Sequence, residues 1–177
     1  MIVDLKKVPF GSQKFDFSLE KEWWRSSEKD EQVVGLDEPL KAKVEIYKAG
    51  ERYVLEGSIS GGLQIKCDRC LGEFHTDLKH DFRVFLIAPD PEANKIEVEL
   101  LEEDMEVGFI DGENIDLGEI IREQVYLSLP LKTLCNDKCL GICPECGNNL
   151  NGKTCNCETR QGHPGFSRLK NLKIKGE

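Results

Sequence analysis

Between residues 135 and 157 six cysteines follow the spacing C-x3-C-x3-C-x2-C-x8-C-x-C: Cys135, Cys139, Cys143, Cys146, Cys155 and Cys157. A polar segment this short cannot hold itself by burial, so the thiols must supply its cross-links. Disulfides and metal are the two choices, and the compartment decides between them. The first ten residues, MIVDLKKVPF, show no basic stretch followed by an apolar core and cleavage site, and no run approaches the 18 apolar residues of a membrane span. The expected location is cytoplasmic, where thiols stay reduced and clustered cysteines hold metal. The disulfide-rich cytosol of a hyperthermophile is the exception.

Cys143-Pro144-Glu145-Cys146-Gly147 is the strongest unit of the cluster. Thiolates two residues apart reach one tetrahedral ion, and the following glycine accepts the positive φ that turns backbone N–H groups toward sulfur. Cys155 and Cys157 share a face if their segment is extended. Residues 143, 146, 155 and 157 therefore make an easy four-thiolate site, and zinc suits such a site best, with iron–sulfur as its chief competitor. Cys67 and Cys70 form a second C-x2-C pair which, with Cys135 and Cys139, would complete another four-thiolate site. One or two zinc ions are expected. Spacing equally allows residues 135, 139, 143 and 146 around one ion, or no metal at Cys67 and Cys70. Of the three histidines, only His163 is kept as a reserve ligand.

Ahead of this cluster the chain alternates. Ala42, Val44 and Ile46 are interleaved with charges, and Gly50 offers a turn. Tyr53, Leu55 and Ile59 continue on one face, with Leu63, Ile65 and Cys67 beyond a bulge or kink at Gly61-Gly62. The longest alternation is Phe74, Thr76, Leu78, His80, Phe82, Val84 and Leu86, a strand with one wet face. Ile2–Leu5 and Phe15–Phe17 are short strands that could pair onto this sheet. The Trp23-Trp24 pair is read as core rather than a base-stacking platform, and His80 as a core residue. Residues 89–108 read as loop or edge element. Asp116 is a helix N-cap with Glu119 three positions on. Leu117, Ile120, Ile121 and Val125 keep helical spacing, and Pro130 stops the run. A last helix is expected around Ser167–Leu172. The fold class is α+β: an antiparallel β-meander or partial barrel with a covering helix and a small C-terminal zinc-knuckle module. Residues 1–131 form the β-rich domain and 132–177 the cysteine module.

The net charge of −9 is unevenly spread. Residues 90–131 hold 13 acidic and 2 basic side chains, whereas residues 132–177 hold 8 basic and 4 acidic. Such asymmetry suggests different partners for different parts, against the plainer reading of solvated faces. Arg160, Arg168, Lys170, Lys173 and Lys175 give a basic tail, and Arg69 is expected on an exposed knuckle where its fork could take a phosphate. The chain has no H-E-x-x-H, no H-x-E with a P-C-x-x-C, no P-loop, no G-x-S-x-G and no dinucleotide fingerprint. Four thiolates leave no open position for water, so the metal is architectural and the chain is read as no enzyme, with no small-molecule substrate and no membrane partner.

Taken in order, Gly57, Cys67-Asp68-Arg69-Cys70-Leu71, Asp116-Leu117-Gly118-Glu119, Leu127-Ser128-Leu129-Pro130-Leu131-Lys132, Cys139-x-Gly141-x-Cys143-Pro144-x-Cys146-Gly147-x-Asn149-Leu150-Asn151 and Cys155-x-Cys157 resemble the YceD family of large ribosomal RNA subunit accumulation proteins. The resemblance spans nearly the whole chain. It implies a role in accumulation or assembly of large-subunit ribosomal RNA, with that RNA, a ribosomal protein or both as partner, and it attaches no enzymatic activity. It also implies that some relatives keep the C-x-R-C unit without the C-terminal cysteines, which leaves a separate role open for Cys67 and Cys70. Two other classes compete: a thiol redox protein using Cys67 and Cys70, and a protein-only interaction module.

Overall fold

The computed structural model describes residues 1–8, 11–24, 32–50, 52–87, 107–110, 112, 114–152 and 154–157. In chain order they form β1 (Ile2–Asp4), β2 (Ser12–Leu19), β3 (Val33–Leu36), β4 (Leu40–Ala49), β5 (Arg52–Lys66), β6 (Glu73–Ile87), β7 (Val107–Phe109), β8 (Asn114–Asp116) and the helix α1 (Leu117–Ser128), with 3-10 turns at Leu5–Lys7 and Lys21–Trp23.

Alternation builds the spine. β5 and β6 pair antiparallel in unbroken register from Arg52↔Ile87 to Lys66↔Glu73. Period two then sets Tyr53, Leu55, Ile59, Leu63 and Ile65 on one face with Leu78, Phe82 and Leu86, while Lys79, Asp81 and Arg83 face water. Gly50, at φ 66°, turns β4 into β5, and β2 extends the sheet beyond β4. The order is β2-β4-β5-β6-β7, with β3 paired to the far half of β5. This is an open sheet, not a partial barrel: among the described residues the path ends at β2 and β7. β4, β5 and β6 are the meander proper.

Two expectations change, and a third gains detail. Ile2–Asp4 does not join the main sheet; it pairs with β8 in a separate two-stranded sheet. Gly61 and Gly62 carry no bulge against β6 but mark where the partner of β5 changes from β4 to β3. There the chain before β4 crosses so closely that a Cβ on Gly61 would lie 3.2 Å from Leu40 Cα and from the Pro39 oxygen. The edge element near residue 107 is β7, and it runs parallel to β6.

Leu117, Ile121 and Val125 of α1 are fully buried in the one main core, where they cover the apolar face of the sheet with Leu5, Trp24, Ile110 and Ile115. Asp116 caps the helix by accepting from the Gly118 N–H at 2.8 Å. Trp24 packs on Tyr126 with ring centroids 5.6 Å apart, and the Arg122 guanidinium lies 5.2 and 4.6 Å from the Trp23 and Trp24 ring centres. The tryptophan pair thus belongs to the core edge. His80 is half-buried beside Phe82. Residues 88–106, which include the first part of the acidic stretch 90–131, the basic tail and the helix expected near Ser167–Leu172 lie outside the described residues.

Candidate metal centres

The turn between β5 and β6 is a knuckle. Leu71 N–H donates to the Cys67 carbonyl at 2.9 Å and Cys67 N–H to the Gly72 carbonyl at 2.9 Å. Leu71 sits at φ 58°, which a side chain adopts only under strain. Against this knuckle lies the segment after α1. Asp68 and Thr133 exchange backbone-centred bonds: Asp68 N–H to the Thr133 carbonyl at 2.9 Å, and Thr133 N–H to Asp68 Oδ2 at 2.6 Å. The buried Thr133 hydroxyl is 3.1 Å from both Asp68 Oδ2 and the Lys66 carbonyl and accepts from Gln32 Nε2. Arg69 Nη1 donates to the Cys139 carbonyl at 2.7 Å. These bonds bring Cys67, Cys70, Cys135 and Cys139 together.

All four sulfurs lie within 4.8 Å of one another. Cys67 and Cys139 sulfurs are 3.9 Å apart, and those of Cys70 and Cys135 3.7 Å. That is too long for a disulfide, whose sulfurs sit about 2.05 Å apart. A tetrahedral ion with metal–sulfur bonds of about 2.3 Å has sulfur–sulfur edges of about 3.8 Å, so the group fits such an ion. Phe74 and Leu134 pack around it, and Cys67, Cys70 and Cys139 are buried.

A second knuckle repeats the first. Gly147 N–H donates to the Cys143 carbonyl at 2.9 Å with Gly147 at φ 73°, as Leu71 does to Cys67. Here Cys143, Cys146, Cys155 and Cys157 come within the same 4.8 Å. Cys143 is buried, while Cys146 and Cys157 are exposed. Only three residues separate the two groups along the chain, those between Cys139 and Cys143.

The first group has two sulfurs prepared to be anionic, Cys67 and Cys139, and the second has one, Cys143. At Cys139 burial pushes the thiol up, but the Asn151 amide leads in bringing it down. Burial pushes the Cys67 thiol up, but backbone N–H groups of Cys135, Arg69 and Cys70 outweigh it and bring the thiol down to about 6. Backbone N–H groups of Cys146 and Glu145 bring Cys143 down to about 7. Their neighbours respond oppositely: burial, then the adjoining thiols, push Cys135 up to about 12, and hydrogen bonding to the Cys146 thiol leads in pushing Cys157 up to about 12. An ion would displace those protons, since a coordinating thiol is deprotonated outright.

Arg69, expected on an exposed knuckle, turns Nη1 into the protein; Arg160, Arg168, Lys170, Lys173 and His163 lie outside the described residues. Sequence reasoning gave no role to Thr133, Gln32, Asn149 or Asn151, although the two asparagines stand in the motif behind the family resemblance. A buried threonine three positions past Pro130 has no sequence signal of its own.

The family model described as "Large ribosomal RNA subunit accumulation protein YceD" matches residues 55–173, which include both cysteine groups. The chain belongs to the YceD family. Among its relatives, the large ribosomal RNA subunit accumulation protein YCED homolog 1, chloroplastic, of Arabidopsis thaliana is 25% identical over 156 residues, covering 76% of this chain and 49% of that protein. The Zea mays protein of the same name is 25% identical over 158 residues, covering 76% and 53%. An uncharacterized protein of Mycobacterium tuberculosis is 28% identical over 118 residues, covering 66% and 55%. The chain thus spans about half the length of the curated relatives it matches. YceD is named for accumulation of an RNA, not for a reaction. No solved structure matches the chain, and no helix among the described residues is long and apolar enough to cross a membrane.

Proposed function

We propose that this chain is a non-catalytic factor for accumulation or assembly of large-subunit ribosomal RNA, in which two zinc ions fasten a cysteine module, residues 132–177, to a β-rich domain, residues 1–131. The observation that carries the reading is the pair of four-sulfur groups inside a chain of the YceD family. Zinc is the ion of choice for four thiolates, being redox-inert and tetrahedral. It holds structure here; the chemistry on RNA is recognition only. Cys67, Cys70, Cys135 and Cys139 would hold one ion, and Cys143, Cys146, Cys155 and Cys157 the other. The cytoplasm, where thiols stay reduced, is the setting that fits this ligand set. A redox role would want Cys67 and Cys70 as an isolated pair with a thiolate at a helix N-terminus; they stand instead in a hairpin turn, each matched by a sulfur from the 135–139 segment.

The partner we favour is large-subunit ribosomal RNA, met by the basic tail. Elemental analysis of the purified chain should find about two zinc ions and no iron; fewer than about half an ion with reduced thiols overturns the metal part. For the RNA part, replacing Arg160, Arg168, Lys170 and Lys173 with Gln should lower the magnitude of the log–log salt slope of RNA binding. The drop should be about 0.7–0.9 for each phosphate that the tail no longer neutralises. A chain that shows no RNA affinity at low salt yet sediments with large-subunit precursors would be a protein-binding factor instead.

A further inference from the structure

A small hairpin connects the two sulfur groups. Ile142 and Asn149 form an antiparallel bridge, Cys143 N–H donates to the Asn148 carbonyl at 2.8 Å, and Leu150 N–H donates to the Gly141 carbonyl at 2.8 Å. The turn of this hairpin is the second knuckle, Cys143–Cys146. Its returning arm ends on Asn151, whose side chain bonds at both ends. Oδ1 accepts from the Leu140 N–H at 2.8 Å. Nδ2 donates to Asn149 Oδ1 at 2.9 Å and to Cys139 Sγ at 3.2 Å. Asn149 Oδ1 also takes the Asn151 N–H at 2.9 Å. So a residue carried by the loop of the second group donates to a sulfur of the first.

We propose that Asn151 is a positioning residue that couples the two metal centres, so that an ion at Cys143, Cys146, Cys155 and Cys157 tightens binding at Cys67, Cys70, Cys135 and Cys139. The inference rests on the metal reading above. Filling the second centre closes the chain from Cys143 to Cys157 and fixes the arm that ends on Asn151. The amide then faces Cys139 at no further ordering cost and withdraws charge from its thiolate, which is how partners beyond the ligands strengthen a thiolate site. With the second centre empty, the arm must be ordered at the moment the first ion binds. Binding free energies are reciprocal, so the first centre must tighten the second by the same factor. Gly141 keeps the connection short: at φ 78° it lies so close to Arg69 that a Cβ would come 3.0 Å from the Arg69 oxygen and Cγ, holding the hairpin against the first knuckle.

The test is a Zn²⁺ titration of the full chain against a competing chelator, read on the backbone amides of Leu71 for the first centre and Gly147 for the second. Wild type should bind two ions. Cys143→Ser/Cys146→Ser should leave one ion, bound about 10–100-fold more weakly at Leu71 than in wild type. Asn151→Ala should still bind two ions, with the first centre weakened by a similar factor. Adding the two serines to Asn151→Ala should then weaken the first centre no further. A first centre whose affinity stays within about twofold of wild type in the serine variant overturns the coupling while the metal reading stands. A weakening by the serines that persists undiminished in the Asn151→Ala background overturns the role of Asn151. A wild-type chain that binds no Zn²⁺ overturns the metal reading and the coupling together.

Discussion

A Cβ added to Gly57 would clash with the Phe82 ring, 2.8 Å from its Cε1, and would lie 2.8 Å from the Lys43 carbonyl oxygen. Glycine at this register position, directly opposite Phe82, leaves room for the aromatic ring against the strand backbone. Gly57→Ala should therefore cost about 1–3 kcal/mol through overpacking, read as a lower denaturant midpoint with unchanged slope; a midpoint equal to wild type would refute this account of the ring. His75 presents a different case. Its ring nitrogens face Asp37 Oδ2 at 2.9 Å and Asp77 Oδ1 at 3.2 Å. The Asp37 hydrogen bond, followed by that to Asp77, raises its pKa above the ordinary 6.5. A raised folded pKa means that the contribution to stability is full below the unfolded value and is lost as pH rises through the folded one. An NMR titration should place the His75 midpoint above the ordinary 6.5, and Asp37→Asn should lower it; a midpoint indifferent to that substitution would show that the pair does not form in solution. Arg69 joins residue to site. Its hydrogen bonds to the Cys139 and Asp137 carbonyls tie the first knuckle to the loop beyond Asn136. Arg69→Ala should cost about 1.5–3 kcal/mol, the range for a hydrogen bond from a charged donor, in the absence of any RNA.

At the scale of elements, α1 depends on a carboxylate. Asp116 Oδ1 accepts from the Gly118 N–H and from the Met1 ammonium, each at 2.8 Å. The ammonium hydrogen bond leads in holding this carboxyl below its usual range, against burial. A depressed folded pKa contributes stability above the unfolded value of about 3.9 and loses it as pH falls through the folded one. Asp116→Ala should cost about 1 kcal/mol at neutral pH. Asp116→Asn, which keeps the cap and loses the charge, should cost less, and its deficit should shrink as pH falls through the folded pKa of Asp116. Urea midpoints from about pH 7 down to about pH 2 check both, and an Asn deficit that does not shrink over that range would deny the charge its role. This helix was readable in advance because cap, spacing and stop all act within one short stretch, from Asp116 to Pro130. β5 and β6 were readable for a similar reason, since alternation is itself the cause of their two faces. The pairing of β1 with β8 was not: Ile2–Leu5 reads as a strand, but each of the two is three residues long, too short for a period to name its partner, and the pair joins residues far apart in the chain. The thiol spacing offered the grouping of the cysteines as one of several. What selects among the partitions is tertiary, namely the Asp68–Thr133 exchange that sets residues 133–139 against the β5–β6 turn.

For the molecule as a whole, the proposed zinc sites would make two unlike sources of stability meet at that turn. The sheet and α1 share one core of buried hydrophobic residues and are expected to stand without metal. Beyond Thr133 the buried hydrophobic residues among those described are only Cys139 and Cys143, and cysteine packing alone cannot offset the ordering of roughly twenty residues at about 1–2 kcal/mol of backbone entropy each. Zinc binding to small thiolate peptides supplies roughly 10–16 kcal/mol per ion. The module should then be folded when loaded and unfolded when stripped, while the sheet remains. Hydrogen exchange before and after chelation measures this directly. The N–H groups that close the module, those of Cys143, Gly147 and Leu150, should lose protection on chelation together with that of Asp68, which donates to Thr133. Those in the β4–β5 and β5–β6 ladders should keep theirs. Because Cys67 and Cys70 sit at the end of β5, the ladder should loosen only near Lys66 and Glu73. Protection unchanged across residues 132–157 after complete metal removal would mean that packing, not metal, holds the module. Loss of protection throughout β4, β5 and β6 would mean that sheet and module fold as one unit, and the division at residue 131 would have no energetic basis.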